Sequence, residues 1–296
     1  MKKNLVKKAV LPALVALICS VVALTSVSYA WFSMGDQASV DGMQMKVTSA
    51  DGLQISATGN AGDFKSNLDV AALEAVDTNQ FPAEVTPAST GGTVSNGKLS
   101  FYTGQISDGK LSSVTATTGA YICFDIYVQV AAGKKLQLDA GSIVAMIAGD
   151  SKETHLSSRV AFINLGYAAT AADAIGMNNA FVPVNNIKIW EPNALIRSQA
   201  YTNAGGSATA AKLDYKGLVD VGTNAEGEVS AENVVTFAPA QDASLKTTEA
   251  VDLFDLGAGY NRIRVYIWME GQDVDCLNAV SGGQFAITLK FAQANK

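Results

Sequence analysis

Tyr121-Ile122-Cys123-Phe124-Asp125-Ile126-Tyr127-Val128-Gln129-Val130 alternates with a period of two. Ile122, Phe124, Ile126, Val128 and Val130 share one face; Tyr121, Cys123, Asp125, Tyr127 and Gln129 share the other. Ten residues of this kind, rich in β-branched and aromatic side chains, read as a β-strand. Downstream, a turn at Ala132-Gly133 leads into residues 135–139, which predicts a hairpin. Residues 143–147 and 159–165 read as further strands. Residues 261–270 place Ile263, Val265, Ile267 and Met269 on one face, and residues 284–292 do the same with Phe285, Ile287, Leu289 and Phe291. The long loop 271–283 separates these two segments. Ile187 to Trp190 reads as a short strand stopped by Pro192, and residues 99–102 as another.

Helical spacing appears in one place within this region, at Leu68, Ala71, Ala72 and Ala75, and predicts a short helix over residues 67–76. Pro82, Pro87 and Gly91-Gly92 mark a long connection after it. The chain holds 26 Gly and 6 Pro among 296 residues, with 48% hydrophobic residues. That composition suits many short strands around a sizeable core. The expected fold is therefore all-β: an antiparallel β-sandwich of jelly-roll or Greek-key type, with a short helix and long loop insertions. A Gly/Ala-rich insertion is expected at about residues 166–232. Its part from 198 to 232 has few large apolar groups and reads either as surface loops or as disordered chain.

The N-terminus carries Lys2, Lys3, Lys7 and Lys8, then the apolar run AVLPALVALICSVVAL and the junction Ser28-Tyr29-Ala30-Trp31-Phe32. This is the order of a secretory signal helix, with Ser28 and Ala30 supplying the small residues for cleavage after Ala30. The alternative is a retained membrane helix, because residues 9–30 are almost long enough to span a bilayer. Cleavage would remove four lysines and no acid. The net charge would then fall from −6 to about −10. Such a charge argues against nucleic acid and anionic membranes as partners; contact with a membrane would come only through an uncleaved N-terminal helix. Residues 31–296 are then one sandwich domain, secreted or held at the cell surface.

After the junction, Met43, Met45 and Val47 alternate with polar residues, as do Leu53, Ile55 and Ala57. Ala50-Asp51-Gly52 between them predicts a hairpin. A lysine-rich leader, a small-x-Ala cut, an aromatic pair, a short polar segment and a Gly-led strand together resemble the TasA/camelysin group of Gram-positive bacteria, over about residues 1–57. The remainder is similar to uncharacterised secreted proteins of clostridial bacteria, which share the AWFSM junction (residues 30–34) and the segment from Trp268 to Cys276. The TasA resemblance implies a jelly-roll subunit of biofilm-matrix filaments. It implies that signal peptidase frees the N-terminus, and that the chain polymerises with itself by donating that segment to a neighbour's sheet. The expected donor is residues 31–40, with Trp31, Phe32, Met34, Ala38 and Val40 making the apolar contacts.

The chemistry-bearing residues are few. Cys123 and Cys276 remain after cleavage; in an exported chain such a pair suggests a disulfide, and the alternative is two separate thiols. Glu270, Asp273 and Asp275 form an acidic loop that could hold calcium, although their spacing is not that of an EF-hand; a solvated turn is the alternative. Camelysin is described as a metalloprotease, yet the chain has one histidine, His155, and no HExxH motif. His155 reads as a polar surface residue. No nucleophilic triad and no phosphate-binding loop is present in the sequence, and no cofactor is expected. Trp190, Tyr266 and Trp268 could line an exposed sugar-binding platform, which would make the chain a membrane-anchored adhesin; the alternative is that they pack under long loops. The first expectation is a non-enzymatic structural subunit; the adhesin and then the metalloprotease are the alternatives.

Overall fold

The computed structural model describes residues 43–49 and 53–296, except 89, 91–93, 108–109, 116–118, 148, 153, 178–181, 183–185, 191–233, 236–243, 247–249, 272–275 and 277–280. The signal helix, the donor segment 31–40 and the region 198–232 lie outside the described residues.

The strands run in chain order. They are β1 (Met43–Ser49), β2 (Gln54–Ser56), β3 (Asn67–Asp69), β4 (Val94–Ser95), β5 (Lys98–Leu99), β6 (Tyr102–Ser107), β7 (Lys110–Thr115), β8 (Ile122–Val130) and β9 (Lys134–Leu138). They continue as β10 (Ile143–Met146), β11 (Ser158–Ala168), β12 (Ile187–Trp190), β13 (Val234–Val235), β14 (Ser244–Lys246), β15 (Val251–Leu256), β16 (Gly259–Met269) and β17 (Phe285–Asn295). Among the described residues two short α-helices accompany them, α1 (Val70–Glu74) and α2 (Ala171–Ile175). The fold is an all-β sandwich.

One sheet has the order β14-β10-β17-β1-β3, with β9 also on β17 and β15 on β9. The other has the order β13-β12-β11-β16-β8-β2. Pairing is antiparallel except for β1 with β17 and β12 with β13. Between the sheets lies one apolar core. β17 contributes Phe285, Ile287, Leu289 and Phe291; β8 and β16 answer with Phe124, Ile126, Val128, Ile263, Val265 and Ile267. The rings of Phe162 and Phe291 meet edge-on across it at 5.9 Å, a favoured aromatic geometry.

Two expected hairpins are absent. β1 pairs with β17 and β3, whereas β2 pairs with β8 in the opposite sheet. Likewise β8 pairs with β16 and β2, and β9 with β15 and β17. A hairpin would put both apolar sets on one face of one sheet. Crossing to the other sheet lets the two sets face each other and bury both. The same applies at Gly257-Ala258-Gly259, a turn that carries the chain from β15 to β16. Gly259 has φ +113°, and a Cβ there would stand 2.4 Å from the Ala168 carbonyl oxygen.

The expected helix over 67–76 is shorter. Residues 67–69 pair with β1 instead, and Asp69 caps α1 by accepting the Ala72 N–H at 2.9 Å. The first residues of the expected Gly/Ala-rich insertion, from 166, are in regular elements. β11 continues to Ala168, and α2 follows with Thr170 accepting the Asp173 N–H. Of the expected strand at 99–102, Leu99 closes β5 and Tyr102 opens β6.

A second apolar cluster covers the outside of the β11–β16–β8 surface. It contains Leu99, Phe101, Cys123, Ala161, Ile163, Ile189, Tyr266 and Trp268. The covering layer includes a strap formed by residues 79–88 and 94–101. Gln80 and Cys123 exchange two backbone hydrogen bonds, the Ala88 N–H donates to Met269, and the Gly271 N–H donates to Ala88.

Candidate functional site

The strap changes the meaning of the outward face of β8. Alternation sends Tyr121, Cys123, Asp125 and Tyr127 away from the main core, as the sequence implies. It does not send them into water: Cys123, Asp125 and Tyr127 are all buried. Cys123 sits in the outer cluster and Cys276 in the core between the sheets, on opposite sides of one sheet. The two do not form the expected disulfide. Burial pushes the Cys123 thiol up to about 12, which makes it a packed and unreactive sulfur.

The tryptophan platform is also overturned. Trp190, Trp268 and Tyr266 are fully buried. Trp268 stacks edge-on against Phe101 at 5.3 Å, and the Tyr266 hydroxyl accepts the Leu99 N–H at 3.2 Å. These rings fasten the strap rather than meet a sugar. His155 is buried in a 3-10 turn (Thr154–Ser157), not on the surface. Glu270 is buried and accepts the Trp268 indole N–H at 3.2 Å; Asp273 and Asp275 lie outside the described residues. Among the described residues no group of three or more His, Cys, Asp or Glu could hold a metal. No described helix is long and apolar enough to cross a membrane.

The sheet edge beside β1 bears on assembly. β3 covers Lys46, Val47 and Thr48. Continuing that register would set Val70 against Met45, but Val70 opens α1. The first residues of β1 therefore have β17 on one side and, among the described residues, no strand on the other. The expected donor segment immediately precedes this point in the chain.

The densest polar constellation is one that sequence reasoning missed. Asp125 of β8 faces Arg264 of β16 in the ladder, and Arg262 is two residues away on the same face. Arg262 donates through Nε and Nη2 to Asp125 Oδ2 at 3.0 and 2.6 Å. Arg264 donates through Nε to Oδ1 at 2.7 Å and through Nη2 to Oδ2 at 2.9 Å. The outer arms tie in two other segments: Arg262 Nη1 to the carbonyls of Ile175 and Met177, and Arg264 Nη1 to the carbonyl of Gly97. Asp125 also has its backbone N–H held by the Asn79 side chain.

Burial alone would raise the Asp125 pKa, but hydrogen bonds and charge from Arg264 and Arg262 outweigh it and hold the carboxyl below its ordinary value. Burial opposes the charge on Arg264, and Asp125 more than restores it, so that guanidinium is raised. The arginines line a pocket of about 200 Å³ with Gly97, Leu165, Ile175, Gly176 and Met177. The signal for this cluster was present in sequence: one acid inside an apolar strand, and two arginines at i and i+2 inside another.

Comparison with family models, with curated proteins and with solved structures finds no match.

Proposed function

We propose that the chain is a secreted, non-enzymatic structural subunit that polymerises with itself on or outside the cell by strand addition, in the manner the TasA resemblance implies. The observation that supports this reading most is the edge at β1. The strand directly downstream of residues 31–40 enters the sheet with a lateral position open among the described residues. An exposed strand edge is a template for another strand. Main-chain hydrogen bonds there would supply affinity, and alternate side chains such as Trp31, Phe32, Met34, Ala38 and Val40 would set register. Signal peptidase acting after Ala30 would free the donor end.

The test is deletion of residues 31–40 from the chain that begins at Trp31. The deleted chain is expected to keep its sandwich, seen as an unchanged far-UV spectrum, and to sediment as a monomer under conditions where the parent forms filaments. Filaments of unchanged length after the deletion refute strand donation. The burial of Trp190, Tyr266 and Trp268 removes the observation that favoured a sugar-binding adhesin.

A further inference from the structure

The pocket beside the Asp125 cluster has donors to spare. A guanidinium carries five N–H bonds. Arg262 spends one at Nε, two at Nη1 and one at Nη2. Arg264 spends one each at Nε, Nη1 and Nη2. One N–H on Arg262 and two on Arg264 therefore have no acceptor among the described residues. Two guanidiniums against one carboxylate leave a single net positive charge, in a chain whose overall charge is −6. Both side chains are largely withdrawn from water, at 11% and 14% exposed, where an ion feels less screening.

We propose that this pocket binds a free, small organic monocarboxylate. The group must be an acceptor that presents two oxygens to forked N–H donors, as Asp125 already does from the inner side. Its charge of −1 matches the charge left over, which a phosphate dianion would exceed. Its body must be short, because the pocket is small; Leu165, Ile175 and Met177 are among the residues that line it. A water occupies about 30 Å³ in the liquid. The pocket of about 200 Å³ thus has room for an acid of a few carbons, and lies below the range of drug-sized ligand sites. The acid would complete the outer edges of both guanidiniums, and the site lies where the strap, α2 and the β8–β16 ladder converge.

The experiment uses the whole chain and the probes sodium acetate and sodium butyrate, titrated at constant ionic strength with sodium chloride. Arginine side-chain Nε–Hε resonances are followed by NMR. The resonances of Arg262 and Arg264 are expected to shift and saturate with butyrate, while those of the buried Arg159 stay in place. Met177→Trp narrows the pocket without touching a guanidinium and is expected to weaken butyrate binding at least about tenfold. Arg264→Lys removes the fork but keeps the charge, and is expected to weaken it about tenfold or more. A response to butyrate no different from that to chloride overturns the proposal. So does unchanged binding in Met177→Trp, which has intact arginines and stays informative if Arg264→Lys fails to fold. An N-acetylated, amidated glutamate that binds more tightly than butyrate also overturns it, since the carboxylate would then belong to a peptide.

Discussion

Replacing Asp125 by alanine removes the acceptor of four charge-assisted hydrogen bonds and strands two guanidiniums in the outer layer. Taking one partner from a buried ion pair costs about 3–5 kcal/mol. Here the arginines keep their bonds to the carbonyls of Ile175, Met177 and Gly97. Those bonds limit the loss to the lower end, about 3 kcal/mol. For a domain of this size each kcal/mol moves Tm by about 2–4 °C, so the melting point should drop by about 6–12 °C. Urea unfolding of the two chains at pH 7, followed by tryptophan fluorescence, reads the difference directly; Trp190 and Trp268 report on the inner core and the outer cluster respectively. A pH series adds a sign. The folded pKa of Asp125 is depressed, so its contribution is complete above the ordinary carboxylate value near about pH 4 and is lost as pH falls through the lower folded value. The parent chain should therefore lose stability more steeply below about pH 4 than Asp125→Asn. A loss under about 1 kcal/mol in Asp125→Ala would show that the cluster does not lock the layers together.

Other outcomes follow from the same architecture. The intact mass of the purified chain should be identical before and after reduction, and iodoacetamide at pH 8 should label neither Cys123 nor Cys276 until denaturant is added; a two-unit mass gain on reduction would restore the disulfide. Phe101→Ala should cost about 3–5 kcal/mol and speed amide exchange at Gln80 and Cys123, whose mutual bonds hold the strap; unchanged exchange there would detach the strap from the aromatic cluster. Tyr266→Phe leaves the buried Leu99 N–H without its acceptor and should cost about 1–3 kcal/mol, measured by the same unfolding curve. Gly259→Ala forces a Cβ against the Ala168 carbonyl at a positive φ and should cost about 2 kcal/mol or more; a neutral result would mean that this turn relaxes.

Strand positions were legible where alternation was clean. Residues 122–130, 158–168, 259–269 and 285–295 all contain segments whose apolar phase alone places them. Partners were not legible, because period two says which face is buried but not which sheet the strand joins. Ala50-Asp51-Gly52 and Ala132-Gly133 have hairpin chemistry, yet the core demanded crossings at both. The strand β15 was missed because Asp252 and Asp255 break its apolar pattern; Asp252 pairs with Lys135 and Gln137 of the neighbouring strand. The outer layer misled most. A polar or aromatic residue on the outward phase of a strand looks solvent-facing when the covering segment has no apolar periodicity of its own, as in residues 79–88. Trp268, Tyr266 and Cys123 lie under that layer, and so does Asp125, whose two arginine partners lie in a strand far along the chain; Trp190 instead turns into the core between the sheets.

β17 has a consequence in time as well as in space. It is flanked by β1 on one side and by β10 and β9 on the other, and each of these lies upstream of it. Met43 must wait for Phe285, and Ser49 for Phe291. A chain emerging from the ribosome therefore cannot close this sheet until its last strand has appeared, whereas every strand of the other sheet has been made once Met269 is reached. Closing so long a loop before any pairing reward makes folding slow.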